Sequence, residues 1–493
     1  MSEGRGVKTN LGSGGLALAF AKVFFLLAGY AISIALTRLV PPETFGLYAV
    51  VSQIIAVPNM VIIQSLLFTV SRPLAAELPK GYGAYRPLRR RGFRLALALG
   101  LPVAALFFAG ADLLAARLHD PALAGPLRVV APIPLLYALY AVNIGTLNAT
   151  RRFGLQASLD VFMAASKAGL IIAAAALGLG LDATLGGFTL AAALALSMSG
   201  LLTWSARPRD VTSAAESPPP PIGDLALTLL GFTALVNLLL AADLVILKHF
   251  VGDPESNAAV GFYASANLVA RVPYSLLSAV SLMMFPLVAT LHALADEERL
   301  GRYVHETAKV TVMLLAGMAA VLAAGAAEVQ RLLFPAAYGA VADELRALVW
   351  GFSGYSLAVT AAWILNSSAR SRIALALALA PLAVVFAVGW ALVPTQGTSG
   401  AAYAVLAAGG VAALAALVAL RLAFAVALRA AFLARVALAV ALVSGAGVLW
   451  QPAGKLGALA KLIALTLVFA ATILGSRAIT VAEILELRRA RPR

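Results

Sequence analysis

Cysteine is absent from all 493 residues, which excludes disulfides, thiol nucleophiles and thiolate metal sites. Charge is scarce: 12% of residues are charged, and the 22 acidic residues are outnumbered by 37 Lys and Arg. The four histidines (His119, His249, His292, His305) are scattered without ligand-like spacing, so neither a metal centre nor another cofactor is expected. No large polar block interrupts the chain. What it has instead is apolar: 62% hydrophobic residues and a mean hydropathy of +0.93. A water-soluble core of this length cannot hide that much apolar surface. A bilayer can, because a helix of about 20 apolar residues spans its hydrocarbon and satisfies its own backbone hydrogen bonds. An all-α integral membrane protein is therefore expected.

About fourteen apolar stretches qualify as spans. They lie near residues 14–39, 46–75, 93–116, 127–148, 156–179, 184–204, 225–250, 260–290, 307–327, 346–367, 373–393, 399–425, 432–450 and 456–475. The first is too long for a signal-peptide core and lacks a small-residue cleavage site, so it reads as a retained helix. With the N-terminus inside, cytoplasmic segments hold roughly 25 Lys and Arg and the opposite side roughly 8, as the positive-inside rule expects. Both termini are then cytoplasmic. The net charge of +15 thus reports topology and gives no reason to expect a nucleic-acid partner. The densest basic loop carries Lys80, Arg86, Arg89, Arg90, Arg91 and Arg94. It is either a topology signal alone or a contact for lipid headgroups or a pyrophosphate.

The chain also repeats itself. Gly46-Leu-Tyr48-Ala49 returns as Gly261-Phe-Tyr263-Ala264 at an offset of 215, which also maps Pro58 onto Pro273. Leu147-Asn148 with Arg151 and Arg152 returns as Leu365-Asn366 with Arg370 and Arg372 at 218, and Thr184-Leu-Gly186 as Thr398-Ser-Gly400 at 214. Such constant offsets indicate duplication of a six-span unit. Six is even, so the halves are expected as parallel lobes related by an axis along the membrane normal, which rock around a site between them. The expected layout is an N-lobe over 1–204, a Pro-rich cytoplasmic linker over 205–224, a C-lobe over 225–425, two extra helices over 426–475 and a basic tail over 476–493. The extra pair either serves a lipid groove or partner, or only packs.

Polar groups inside spans are functional candidates, because they are costly there. Tyr263, Asn267, Arg271 and Ser275 recur every four residues and form one stripe on a helix. The equivalent line in span two is Tyr48, Ser52, Ala56 and Asn59. Arg271 either contacts a phosphate or other anion, or forms an ion pair with Asp243. Lys22, well inside span one, is a second cation candidate, unless it snorkels to the interface. Asp243 is a candidate for a coupling proton or sodium ion, or else a partner of Arg271 or Lys248. Asp160 and Lys167 look like a packed ionic contact. The prolines at 58 and 273 should kink their helices. The outward loop from Glu328 to Leu345 carries only scattered charges, with no acid–base pair for chemistry on sugars.

Fourteen spans in six plus six plus two, the segment from Leu36-Thr37-Arg38-Leu39 through Pro41-Pro42-Glu43 to Phe45-Gly46-Leu47-Tyr48, and Gly261-Phe-Tyr263-Ala264 after span seven together resemble the polysaccharide exporters. These belong to the multidrug/oligosaccharidyl-lipid/polysaccharide (MOP) superfamily, which includes O-antigen and lipid II flippases. The resemblance implies a MATE-like fold, no enzymatic activity and a place in the bacterial inner membrane. It implies a substrate too: an undecaprenyl-pyrophosphate-linked oligosaccharide, flipped between leaflets by alternating access, with polysaccharide polymerases or ligases as partners. A cationic cavity, supplied here by Lys22 and Arg271, would receive the headgroup, with Tyr263, Asn267 and Asn59 as polar lining. Lipid II flippases carry more arginines in spans one and two, which favours O-antigen, capsule or exopolysaccharide as the cargo. The alternatives are a MATE-like drug or cation antiporter and a membrane glycosyltransferase or polymerase.

Overall fold

In the computed structural model the described residues are 11–78, 85–205, 224–252, 256–277 and 296–478 apart from 369, with isolated positions between 288 and 294. The linker's prolines and the basic tail beyond 478 lie outside them, as does most of span eight beyond residue 277. Among the described residues all regular structure is helical. The chain is a multi-pass membrane protein: among the described residues twelve helical segments are long and apolar enough to cross a bilayer. The outer surface bears this out, because Leu422, Leu449 and Leu456 are each more than 80% exposed. Water would not tolerate such a surface, whereas lipid is as apolar as leucine.

By internal contacts the chain divides into two compact units, 1–237 with 252–258, and 238–251 with 259–493. In the first unit run α1 (Leu11–Leu39), α2 (Pro42–Glu77), α3 (Tyr85–Ala109), the short α4 (Ala111–Arg117) and α5 (Ala124–Val130), then α6 (Ile133–Ala149), α7 (Phe153–Ala176) and α8 (Gly180–Ser205). Helix α9 (Asp224–Phe250) contributes to both units. The core of the first unit joins Ile62, Leu66 and Val70 of α2 to Ala96 of α3 and to Ala138, Ala141 and Val142 of α6. Small residues on α3 and α6 let the helix backbones come close, which is how helices pack when lipid gives no hydrophobic drive between them.

Helix α3 begins earlier than the apolar run suggests. The expected span at 93 becomes a helix from Tyr85, so most of the basic loop forms its first turns. Arginine is a good helix former and its long stem can lie along the helix, so charge alone does not end one. The helix stops at Gly110, and the stretch to 117 is the separate α4.

The second unit holds the end of α9, all but the first two residues of α10 (Asn257–Ala270), α11 (Glu297–Ala324), α12 (Ala326–Leu333), α13 (Ala342–Ser367), α14 (Ser371–Phe424), α15 (Ala430–Leu449) and α16 (Gly454–Gly475). The 54 residues of α14 are two spans joined at a kink, where Gly397 takes φ 55°. Only glycine adopts such backbone without strain. Glu344 secures the bend by accepting from Thr398 Oγ1 at 2.8 Å and Ser399 Oγ at 3.0 Å. A proline likewise interrupts the stripe helix: α10 ends at Ala270, Arg271 is a turn residue, and helix resumes over 272–277 with Pro273 in its first turn. Pro273 has no N–H to donate to the Val269 carbonyl and its ring crowds the preceding turn, which explains the break. Pro58, by contrast, sits inside the continuous 36-residue α2.

Helix α13 is the most enclosed element of this unit and packs tightly on the second half of α14. A Cβ at Gly351 would meet the Val405 backbone, and one at Gly354 would meet the backbone of Gly409. Neither neighbour is a side chain that can swing aside. Gly354→Ala should therefore cost about 1–3 kcal/mol or more by overpacking. Gly410→Ala has open space around its Cβ and should leave stability unchanged. Thermal unfolding of the two variants in one detergent checks the contrast; equal melting temperatures would refute this close-packing account.

The last two helices belong to the second unit and pack on α11. Ala320, Val443 and Leu465 share one buried cluster. Gly317 makes room for Phe469, and Gly447 for Ala324. The segment expected as an outward loop with scattered charges is also ordered: Glu328 lies buried on α12, where it accepts from Lys461 Nζ of α16 at 2.8 Å.

Candidate functional site

The polar stripe of the second unit converges on one carboxylate. Tyr263 and Asn267 lie one turn apart on α10, and Asp243 lies on α9. The Tyr263 hydroxyl donates to Asp243 Oδ2 at 2.9 Å, and the Asn267 amide donates to the same oxygen. Arg271, one turn further, donates through Nη2 to the Leu240 carbonyl and stands 3.9 Å from Asp243 Oδ1. Its guanidinium carbon sits 5.0 Å from the centre of the Phe352 ring, a cation–π contact with α13. Phe352 in turn meets Tyr355 edge to face at 5.6 Å. Asp243, Tyr263, Asn267 and Tyr355 are buried, whereas the Arg271 side chain keeps 19% exposure.

This geometry has two chemical consequences. A carboxylate in an apolar unit needs hydrogen-bond donors, a counter-charge or both, and here it has both. It is not saturated: Asp243 Oδ1 and the Tyr355 hydroxyl are buried without a hydrogen-bond partner among the described residues. A buried polar atom of that kind marks room for a proton, a water or a small ion. Arg271 meanwhile combines partial exposure with backing from an aromatic ring.

In the first unit Lys22 is exposed on α1, one of the least buried spans. Its ammonium acts electrostatically on Asp160 of α7, whose Oδ1 accepts from the Tyr140 hydroxyl at 3.2 Å. The expected contact between Asp160 and Lys167 does not form. The two are seven residues apart, a rise of about 10 Å, too far for an ion pair along one helix. Lys167 instead places Nζ 3.6 Å from the centre of the Phe188 ring. Asn59 of α2 is buried and its Oδ1 accepts no hydrogen bond among the described residues. The six candidates from sequence thus fall into two groups: Asp243, Tyr263, Asn267 and Arg271 meet in the second unit, whereas Lys22 and Asn59 belong to the first.

Sequence periodicity missed Phe352 and Tyr355, because a partner from another helix leaves no mark on stripe spacing. It also did not distinguish Arg89 from the other arginines of its cluster. Arg89 Nη2 donates to Asn143 Oδ1 at 2.9 Å and to Thr203 Oγ1 at 3.1 Å, tying α3 to α6 and α8. The available signal was helix phase: Arg89 lies beside Gly92, Ala96 and Gly100, the small-residue seam of α3.

Comparison with solved structures places this architecture. A lipid II flippase, MurJ, in an inward closed conformation matches with a TM-score of 0.70 at 14% identity, covering 93% of this chain and 98% of that one. An inward-facing multidrug resistance MATE family transporter of the MOP superfamily matches at 0.65 and 15% identity, covering 81% and 94%. A MOP superfamily transporter from Pyrococcus furiosus matches at 0.56 and 15%, covering 84% and 95%. At such identities the likeness is one of fold, and the fold is MATE-like. Comparison with curated proteins finds no match. A family model described as polysaccharide biosynthesis protein matches residues 35–343. With well over half of its length matched, the chain belongs to the polysaccharide biosynthesis protein family.

Proposed function

We propose that this protein is a flippase that carries an undecaprenyl-pyrophosphate-linked oligosaccharide across the bacterial inner membrane, for O-antigen, capsule or exopolysaccharide assembly. The family match carries this reading, on a fold similar to that of a lipid II flippase. Sugar hydroxyls and a pyrophosphate are too costly to expose to hydrocarbon, so the headgroup needs polar and cationic partners while the lipid tail stays in the bilayer. Arg271 and Lys22 are the proposed partners of the pyrophosphate, and Tyr263, Asn267 and Asn59 the polar lining. Guanidinium recognises phosphate oxygens in a fork geometry, which suits Arg271 to that role.

Asp243 is the proposed coupling site, and a proton suits it better than sodium. The guanidinium 3.9 Å from Oδ1 repels a second cation, whereas protonation removes the charge that holds Arg271 toward α9. Alternation of the two lobes, as the sequence duplication suggests, would then follow the state of this pair.

The test is reconstitution. The purified chain in liposomes, with a fluorescent undecaprenyl-pyrophosphate-linked oligosaccharide in one leaflet, should move the label out of reach of an impermeant quencher faster than protein-free liposomes do. Rates equal to the protein-free control, together with uptake of a cationic dye by the same vesicles, would replace this reading with drug antiport.

A further inference from the structure

The arginines at the start of α3 divide into two sets. Arg89 points into its unit and is bonded there. Arg86, Arg90, Arg91 and Arg94 are exposed, with no partner among the described residues. At about 100° per residue, Arg86, Arg90 and Arg94 fall within roughly 80° of one another, and the same stripe continues through Leu97, Leu101 and Phe108. Those three apolar side chains are about half exposed or more. One helix face therefore presents three guanidiniums followed by a bare apolar track.

The charge has the wrong sign for its position. A helix N-terminus carries partial positive charge and favours acidic residues, yet the first turn of α3 contains none. Three like charges on one stripe repel each other as well. An anion at this end relieves both penalties, through guanidinium contacts. Length fixes the depth. The 25 residues of α3 extend about 37 Å, some 7 Å beyond a hydrocarbon core of about 30 Å, so Arg86 and Arg90 reach the headgroup layer and Arg94, about 12 Å further along than Arg86, snorkels back toward it, while Leu101 and Phe108 lie alongside acyl chains.

We propose that this face of α3 is a seat for an anionic phospholipid, with its phosphate on Arg86, Arg90 and Arg94 and its chains along Leu97, Leu101 and Phe108. The apolar track selects a two-chain lipid over a soluble phosphate. The site shares no residue with the Arg271 cluster and does not depend on transport.

Native mass spectrometry of the detergent-purified full chain, titrated with phosphatidylglycerol, phosphatidylcholine or undecaprenyl pyrophosphate, tests the proposal. The wild type should retain phosphatidylglycerol at least tenfold better than phosphatidylcholine. The triple variant Arg86→Gln, Arg90→Gln, Arg94→Gln should lose roughly 10- to 100-fold in affinity for phosphatidylglycerol. The lysine triple at the same positions keeps the charge and should stay within a few-fold of wild type, which separates discharge from misfolding. The exposed pair Arg151→Gln, Arg152→Gln, off the stripe, should have no effect. Unchanged phosphatidylglycerol binding in the glutamine triple, equal loss in the off-stripe pair, or retention of undecaprenyl pyrophosphate without phosphatidylglycerol would each overturn it.

Discussion

Alanine at Lys461 should lower stability by about 3–5 kcal/mol, read as a fall in the unfolding midpoint in detergent. The Lys461 and Glu328 side chains are only 3% and 5% exposed, and Nζ lies 2.8 Å from Oε1. The surroundings are apolar: Leu462 packs over Gly325, beside Glu328, and Leu465 joins Ala320 and Val443. Removing one partner leaves the other as a buried charge without its counter-ion in apolar surroundings. Glu328→Ala should cost a similar amount for the same reason. Replacing both, with Lys461→Met and Glu328→Leu, should recover most of the loss, because a buried pair is worth little more than well-packed hydrophobes of its size. The double-mutant cycle then isolates the interaction from lost packing. A single alanine variant within 1 kcal/mol of wild type would show that the pair is hydrated in the membrane.

That ion pair also marks the limit of what the sequence displays. Its partners are 133 residues apart, and nothing in either helix's periodicity connects them. The spans themselves are legible because each needs only a long enough apolar run. The 54-residue α14 still divides near the expected break, since Gly397 and Pro394 punctuate it. The start of α3 is not legible from apolarity, because arginines extend a helix into the headgroup layer without adding hydropathy. The stripe of Tyr263, Asn267 and Arg271 is legible because four-residue spacing fixes a helix face whatever surrounds it. That this face meets Asp243 and the Leu240 carbonyl is set by tertiary packing, as is the ring beneath Arg271. The error over Asp160 and Lys167 has the same origin. Two residues seven apart share a helix face without touching, and two turns of rise carry each charge to a different neighbour: Asp160 to Tyr140 and Lys22, and Lys167 to Phe188.

Replacing Lys22 and Arg271 together by alanine should abolish translocation of the lipid-linked oligosaccharide while folded protein is still recovered. Each cation would contribute a charge-assisted contact to the pyrophosphate, and such contacts are each worth about 1.5–3 kcal/mol, so a combined loss of 100-fold or more in rate is expected. Folding should survive for distinct reasons at the two sites. Lys22 is exposed, so its loss empties no packed core. Loss of Arg271 leaves Asp243 with the Tyr263 and Asn267 donors. The remaining ambiguity is that Arg271→Ala also strips a counter-charge from Asp243, and a coupling defect would look the same in a rate. Asp243→Asn separates the two. It keeps the size of the side chain and leaves Arg271 free to take a headgroup, so it should preserve substrate binding while removing any dependence of the rate on an imposed proton gradient. The alanine pair should lose binding itself, measured with the labelled lipid in detergent. If the pair binds and flips the lipid at the wild-type rate, the cationic-contact proposal fails. If Asp243→Asn still responds to the gradient, the coupling proton is carried elsewhere.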